Sequence, residues 1–561
     1  MQHTAELLSL LQRGAEMAGS GQAEWGMARV VAASSAGTAF EWYDFFIFGS
    51  LTAIISRTFF AALPPTAATI AALGLFAAGF AFRPVGALLF GSIGDRMGRK
   101  GAFLITVSLM GGATFLIGLL PTYAQAGWIA PALLIFLRIC QGTALGGEYG
   151  GAAIYVAEHA AADRRGWSTS WIQSSAAFGL LSALLVILIT RTALGEEAFA
   201  AWGWRIPFLA SSILLGVSIW LRTKLGESPA FVALQEAGEV TKAPLRDAFA
   251  DPASLKRVTI AFLSMMCAQG SVWYSTFFYM QVFLEKMVGL PGKTVNELVM
   301  IMTLVSAPLY VLFGSLSDRV GRKPVMLAGM TIALIAYFPG YHAIADAANP
   351  ALVMAQASTP VTVVTDPATC SVQFDPVGTR HFASGCDIAK SLLAGSGISY
   401  RDVASTDGKT AIAVGGTLLP VSDGTGLDGK ALKALRMATG DKLKAVLTTA
   451  GYPAKADLAA VDWFTLIGWL LLFTTAATAL YGPMAAALVE LFPARTRYTA
   501  MSLPYHVGTG WVGGFLPVTS FAIVAITGDL YAGLWYAFAF TAISVVTTLF
   551  FLKESNGQPL R

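Results

Sequence analysis

GSIGDRMGRK (91–100) recurs as GSLSDRVGRK (314–323), an offset of 223 residues. Each copy sits where one apolar run ends and the next begins, with glycine, aspartate and basic residues in a single turn. Gly91, Gly98, Gly314 and Gly321 allow helices to approach closely, and Asp95 and Asp318 can cap a neighbouring helix or pair with arginine. Arg96, Arg99, Arg319 and Arg322 supply the positive charge. Basic turns that merely anchor orientation would explain one copy. Two copies at matched positions favour a gating role, in which contacts break on one face as others form on the opposite face.

Working outward, apolar runs of about 20 residues, the length that crosses a bilayer core, recur at 32–56, 66–93, 101–121, 128–156, 168–191 and 204–222. They resume at 257–284, 296–317, 324–345, 462–488, 499–527 and 531–552. Composition agrees, with 55% hydrophobic and only 12% charged residues, against about 25% charged in soluble domains. The mean hydropathy is +0.63. A soluble enzyme is thereby excluded, and a net charge of +4 makes no case for nucleic acid. Lipid is the expected surroundings.

Basic residues fall in alternate loops: Arg96, Arg99 and Lys100, then Arg164 and Arg165, then Arg222 to Arg257. Arg319, Arg322 and Lys323, then Arg495 and Arg497, continue the alternation. By the positive-inside rule both termini are cytoplasmic. Residues 1–27 mix Glu6, Arg13, Glu16 and Glu24 with short apolar runs and read as a cytoplasmic lead-in, not a cleaved signal. The expected organisation is a six-helix bundle at 28–222, a linker at 223–256, helices seven to nine at 257–345, and helices ten to twelve at 461–552 with a tail at 553–561.

A looser repeat, AEHAAADRR (157–165) and VELFPARTR (489–497), has an offset of 332, so the second half carries about 109 extra residues. They lie at 346–460 and are expected to face outward, to the periplasm. This insert has a soluble composition. TPVTVVTD, CSVQF and TAIAVGG look like strands, while DIAKSLLAG and ALKALRMATGDKLKAVLTTAG read as helices, which suggests a small α+β domain. Cys370 and Cys386 form a disulfide if the compartment is oxidising, and are free thiols otherwise.

Five charges lie inside apolar runs: Glu41 and Asp44 in span one, Arg83 in span two, Arg138 and Glu148 in span four. Each costs about 2.5–3.5 kcal/mol near the bilayer centre and needs a reason. The repeat supplies a control. Glu41 and Asp44 correspond to Val272 and Ser275, Arg83 to Ser306, Arg138 to Leu470 and Glu148 to Leu480. The turns survive duplication and the charges do not, as expected of coupling chemistry confined to one half.

GTAFEWYDFFIFG (37–49), FRPVGALLFGSIGDRMGRK (82–100), LRICQGTALGGEYGG (137–151) and LGESPAF (225–231) together resemble the major facilitator superfamily, and within it the metabolite:proton symporter family. The resemblance implies an all-α membrane fold of twelve helices in two six-helix repeats, in a bacterial inner membrane. It implies import of a small acid such as oxoglutarate, citrate or shikimate, or of an osmolyte such as proline or betaine. A proton gradient, not a cofactor, would drive it.

On that reading Asp44, with Glu41 as second candidate, carries the proton and pairs alternately with Arg138. The plainer alternative is a pair of permanent buried ion pairs, Asp44–Arg138 and Glu148–Arg83. Arg83 is the first candidate to grip a substrate carboxylate. Glu148, Tyr43, Gln269, Trp273, Tyr274 and Tyr505 complete the candidate binding set, with Tyr279 and His506 as weaker additions. No metal-ligand spacing, nucleophile–base pairing or P-loop is recognisable. The competing functions are proton-driven export and a non-transporting sensor with an outward receptor domain. A periplasmic partner for the insert is a further expectation.

Overall fold

The computed structural model describes residues 22–61, 79–224, 226–373, 382–406 and 408–560. Most of the lead-in, the first part of the second apolar run (66–78), Leu225 and His381 lie outside these residues. Helices dominate. The first half comprises α1 (Gln22–Ser50), α2 (Arg83–Met97), α3 (Arg99–Leu119), α4 (Ile129–His159), α5 (Arg165–Leu194) and α6 (Arg205–Thr223). The second half begins with α7 (252–287), α8 (Gly292–Val320) and α9 (Arg322–Ala348). Nine helices among the described residues are long and apolar enough to cross a membrane.

Local sequence sets the breaks. Gly98 and Gly321 stop α2 and α8 at φ +107° and +106°, where a side chain would be strained, and α3 and α9 restart at the next residue. The linker is not extended throughout: short helices form at Pro229–Glu236 and Pro244–Phe249, each with proline in its first turn. Asp251 caps α7 by accepting the Ala253 and Ser254 N–H groups, five residues ahead of the expected start at 257. From Phe262 to Met287, α7 is largely π-helical, a wider winding that recurs at functional positions.

After α9 the chain builds a four-stranded sheet. Its strands are β1 (Val361–Thr365), β2 (Tyr400–Ala404), β3 (Thr410–Val414) and β4 (Thr417–Val421), in the order β2-β1-β3-β4. The β1–β2 pair is parallel; β3 runs antiparallel to β1 and to β4. α10 (Gly385–Gly395) crosses from β1 to β2, and α11 (Gly429–Thr449) follows β4. The described part of CSVQF, Cys370 to Gln373, is not a strand. Residues 371–373 are irregular, because Ser371 and Gln373 are tied to Asp387 and not to a neighbouring strand. The sheet and its helices have their own apolar core, centred on Val363, Ile388 and Ile412. The chain then returns to long helices: α12 (Trp463–Leu491), α13 (Arg497–Thr527) and α14 (Leu534–Phe551).

The halves meet through two matched pairs, α2 on α13 and α5 on α8. Glycine makes the approach of α2 to α4 possible. A Cβ on Gly146 would overlap the Arg83 carbonyl, and one on Gly86 the Thr143 carbonyl.

Candidate substrate cavity and gate

Between the halves lies a cavity with an empty volume of about 410 Å³, lined by Thr38, Glu41, Trp42, Arg83, Tyr149, Gln269, Trp273, Tyr274, Tyr481, Tyr505, His506 and Thr509. Seven of the sequence candidates are therefore brought together: Glu41, Arg83, Gln269, Trp273, Tyr274, Tyr505 and His506. Gln269 and Trp273 share one π-helical turn of α7, while Tyr505 precedes a π-helical turn of α13. These two helices touch at Gly270, where a Cβ would lie 2.5 Å from the Gly508 carbonyl.

Aromatic rings form most of the wall. Tyr149 stacks on Tyr505 at 3.8 Å between centroids, and Tyr505 and Tyr481 share a hydrogen bond of 2.6 Å. Trp42 faces Trp273 across the halves at 6.0 Å. Trp273 donates its indole N–H to Tyr310 at 2.7 Å, which fixes the ring. Against this apolar surface stand Arg83, Glu41 and Gln269. Glu41 Oε2 and Gln269 Oε1 are buried without a hydrogen-bond partner among the described residues. Buried polar atoms are ordinarily paired, so these two mark a place where something polar belongs.

Glu41 also lines a second cavity, wholly within the first half, with Asp44, Glu148, Ser211 and Ser218. Asp44 Oδ2 accepts from Thr114 at 2.8 Å, Thr114 accepts from Gln141 Nε2 at 2.6 Å, and Gln141 accepts from Arg138 at 2.9 Å. Every donor in this chain points from the guanidinium toward the carboxylate. Asp44 and Arg138 are thus joined through Thr114 and Gln141. The Arg138 guanidinium also lies over the Phe48 ring at 3.9 Å.

Four expectations are corrected. Glu148 pairs with Arg222 at 2.6 Å, not with Arg83, and also accepts from Thr106 at 2.9 Å. Arg222 was grouped with the linker charges, but it sits in the last turn of α6 with its side chain turned inward, 1% exposed. Tyr43 belongs to the core around α6, donating to the Pro207 carbonyl at 2.9 Å. Tyr279 likewise packs away from the cavity, against Tyr341. The spacing of Arg138 and Gln141, one turn apart on α4, was a legible signal for the relay. Thr38, Trp42, Tyr149, Tyr481 and Thr509 had no signal beyond composition.

At the end of the bundle carrying the two repeated turns, charges interlock across the halves. Asp95 accepts the Tyr498 and Thr499 N–H groups at 3.2 and 2.8 Å, capping the start of α13, and contacts Arg99 at 3.3 Å. Asp318 accepts the Gly166 and Trp167 N–H groups at 2.8 and 2.7 Å, capping the start of α5, and contacts Arg322 at 2.6 Å. Glu158 bridges Arg99 and Arg497; Glu490 bridges Arg322 and Arg165. The two networks are copies: the first pair of residues repeats at 223 and the second at 332.

Glu227 holds the Arg99 and Lys100 N–H groups at 3.0 and 3.2 Å, and Glu554 holds those of Arg322 and Lys323 at 2.9 and 3.0 Å. LGES (225–228) and LKES (552–555) carry these caps, a third repeat that the sequence reading missed. Arg96 and Arg319, counted with the gate, are exposed.

A model of the sugar (and other) transporter family matches residues 29–253. Over 323 residues, 56% of this chain and 72% of the relative, the sequence is 35% identical to the shikimate transporter of Escherichia coli (strain K12). Over 318 residues, 55% of this chain and 63% of the relative, it is 35% identical to a proline/betaine transporter of Salmonella typhimurium. A solved structure of a double tryptophan mutant of XylE superposes with a TM-score of 0.63 at 15% identity, over 95% of this chain and 97% of that one. At that identity the likeness concerns the fold. The chain belongs to the sugar (and other) transporter family of the major facilitator superfamily, whose members are membrane transporters and not enzymes.

Proposed function

We propose that the chain is a proton-coupled symporter that imports a small organic acid or zwitterion by alternating access, with twelve spans, both termini cytoplasmic and the α+β unit periplasmic. The observation that carries this reading is the central cavity. It offers Arg83 for a carboxylate, Glu41 and Gln269 as acceptors without partners, and an aromatic wall that suits a cationic head group. Asp44, at the end of the Arg138–Gln141–Thr114 chain, is the proton carrier. Glu41 stands between the carrier's cavity and the substrate's, so it is placed to feel both. A proton on Asp44 weakens its hold on the chain to Arg138, and loss of that hold accompanies reorientation.

The relatives named as shikimate and proline/betaine transporters support both substrate classes. The test is uptake into liposomes under an inward proton gradient, with oxoglutarate, citrate, shikimate, proline and betaine as the labelled panel. Accumulation of one of them is expected in the unaltered protein. Asp44→Asn is expected to abolish gradient-driven accumulation while preserving exchange of substrate across the membrane. Accumulation by Asp44→Asn that still follows the gradient would remove the carrier from Asp44.

A further inference from the structure

The wall of the central cavity is uneven in its hydrogen-bonding groups. We propose that it selects a carboxylate whose other polar groups are hydrogen-bond donors, either hydroxyl or N–H, and turns away quaternary ammonium compounds and dicarboxylates. This rests on the transport reading above and narrows its substrate class.

Three donors of the wall are committed within the protein. The Thr38 hydroxyl donates to the Ser34 carbonyl at 3.2 Å, the Thr509 hydroxyl to the Tyr505 carbonyl at 2.9 Å, and the Trp273 indole to Tyr310 at 2.7 Å. Acceptors are left over. Arg83 aside, the buried lining atoms without a hydrogen-bond partner among the described residues are Glu41 Oε2, Gln269 Oε1 and the two ring nitrogens of His506. Gln269 and His506 are 3% and 2% exposed, so bulk water does not serve them. The Gly146 carbonyl lies beside the His506 ring at longer range, and a neutral imidazole keeps one nitrogen as an acceptor.

A buried acceptor without a donor carries the full cost of its desolvation. A donating substrate group removes that cost. A methyl group in the same place leaves it, and a carboxylate sets its own lone pairs against the Glu41 oxygen. A site made to hydrogen-bond a substrate O–H or N–H therefore rejects an analogue that lacks it far more strongly than an apolar pocket rejects an added group. Arg83 is left to take the substrate's carboxylate. The acceptors also come from both halves: Glu41 on α1, Gln269 on α7 and His506 on α13. A substrate that satisfies all three ties the halves together, so selection and closure use the same bonds.

The test is isothermal titration calorimetry on purified full-length protein in lipid nanodiscs, without a proton gradient. No reductant is added, so the Cys370–Cys386 disulfide stays closed. Two matched pairs are titrated. Shikimate is set against cyclohexene-1-carboxylate, which lacks its hydroxyls, and proline against N,N-dimethylproline, which lacks its N–H groups. Betaine and oxoglutarate complete the set. At least one donor-bearing parent is expected to bind about 100-fold more tightly than its donor-free partner. The shikimate pair reports hydroxyl donors and the proline pair N–H donors. In Gln269→Leu that ratio should fall about tenfold, whereas a loss shared equally by parent and partner would remove Gln269 from the selection. Equal binding of parent and partner in both pairs, tightest binding by betaine or oxoglutarate, or no binding by either parent would each overturn the proposal. The unaltered protein decides this even if Gln269→Leu fails to fold. A parent that binds selectively but never accumulates in liposomes would refute the transport reading and leave the selection standing. Gradient-driven accumulation of betaine alone would do the reverse.

Discussion

Burial pushes the Glu554 carboxyl up, but the N–H groups of Asn556, Arg322, Lys323 and Ser555 together hold it below the ordinary glutamate value. A depressed folded value means that the unfolded chain binds the proton more readily. The stabilisation is complete above the unfolded value of about 4.3 and is lost as pH falls through the folded one. Wild type should therefore melt above Glu554→Gln at neutral pH, and the gap should narrow as pH falls below the ordinary glutamate value. A gap unchanged over that range would mean that the cap does not act through its charge. Glu148 poses a different residue-scale question. Its partner Arg222 is buried against Phe103, 3.4 Å from the ring centroid, and cannot turn to water. Glu148→Gln should cost about 3–5 kcal/mol in thermal unfolding, since it strands a buried cation. Adding Arg222→Leu should recover most of that loss, and failure to recover would assign Glu148 a partner other than Arg222.

Elements show what a sequence can carry and what it cannot. The repeated turns were legible because a charge that caps another helix has to stay at a fixed place in its own turn, and duplication preserved that place in both halves. The Glu158–Arg165 spacing and its copy at Glu490–Arg497 were legible only as a loose repeat, since their contacts are made between halves that are far apart in the chain. Arg222 was misread because hydropathy places a helix end without saying which way its last turn faces. CSVQF was misread because its polar members Ser371 and Gln373 are bonded to Asp387 while Val372 is left exposed, and β2 and β4 were missed because both are largely exposed edge strands. The grip of the sheet on the bundle was invisible for the same reason of distance. Tyr400, at the start of β2, donates its backbone N–H to the Gly528 carbonyl at 2.8 Å and its hydroxyl to the Ala525 carbonyl at the end of α13. Tyr400→Ala should loosen that grip by about 3 kcal/mol, by analogy with other buried aromatic truncations. Limited proteolysis should then cut the α+β unit faster, and an unchanged rate would show that the unit is held elsewhere.

At the scale of the whole molecule, the two charge networks form one seal. Each starts from an aspartate of one half and caps a helix of the other, so neither half can swing away at this end without breaking both networks. A charge-assisted hydrogen bond contributes about 1.5–3 kcal/mol, hence neutralising one cap should shift the closed–open balance by about 10- to 150-fold. Because both caps resist the same rigid-body motion, their effects should multiply. Arg96 and Arg319 are suited to report this, being exposed on α2 and α8 at the sealed end. Spin labels at Arg96→Cys and Arg319→Cys, with Cys140 and Cys267 replaced by serine, give a distance that lengthens when the seal opens. Asp95→Asn or Asp318→Asn should each populate the longer distance, and the double variant should do so by the product of the single shifts. If the double variant opens no further than either single one, the two networks do not close a common gate, and the second turn is a relic of duplication with no share in the motion.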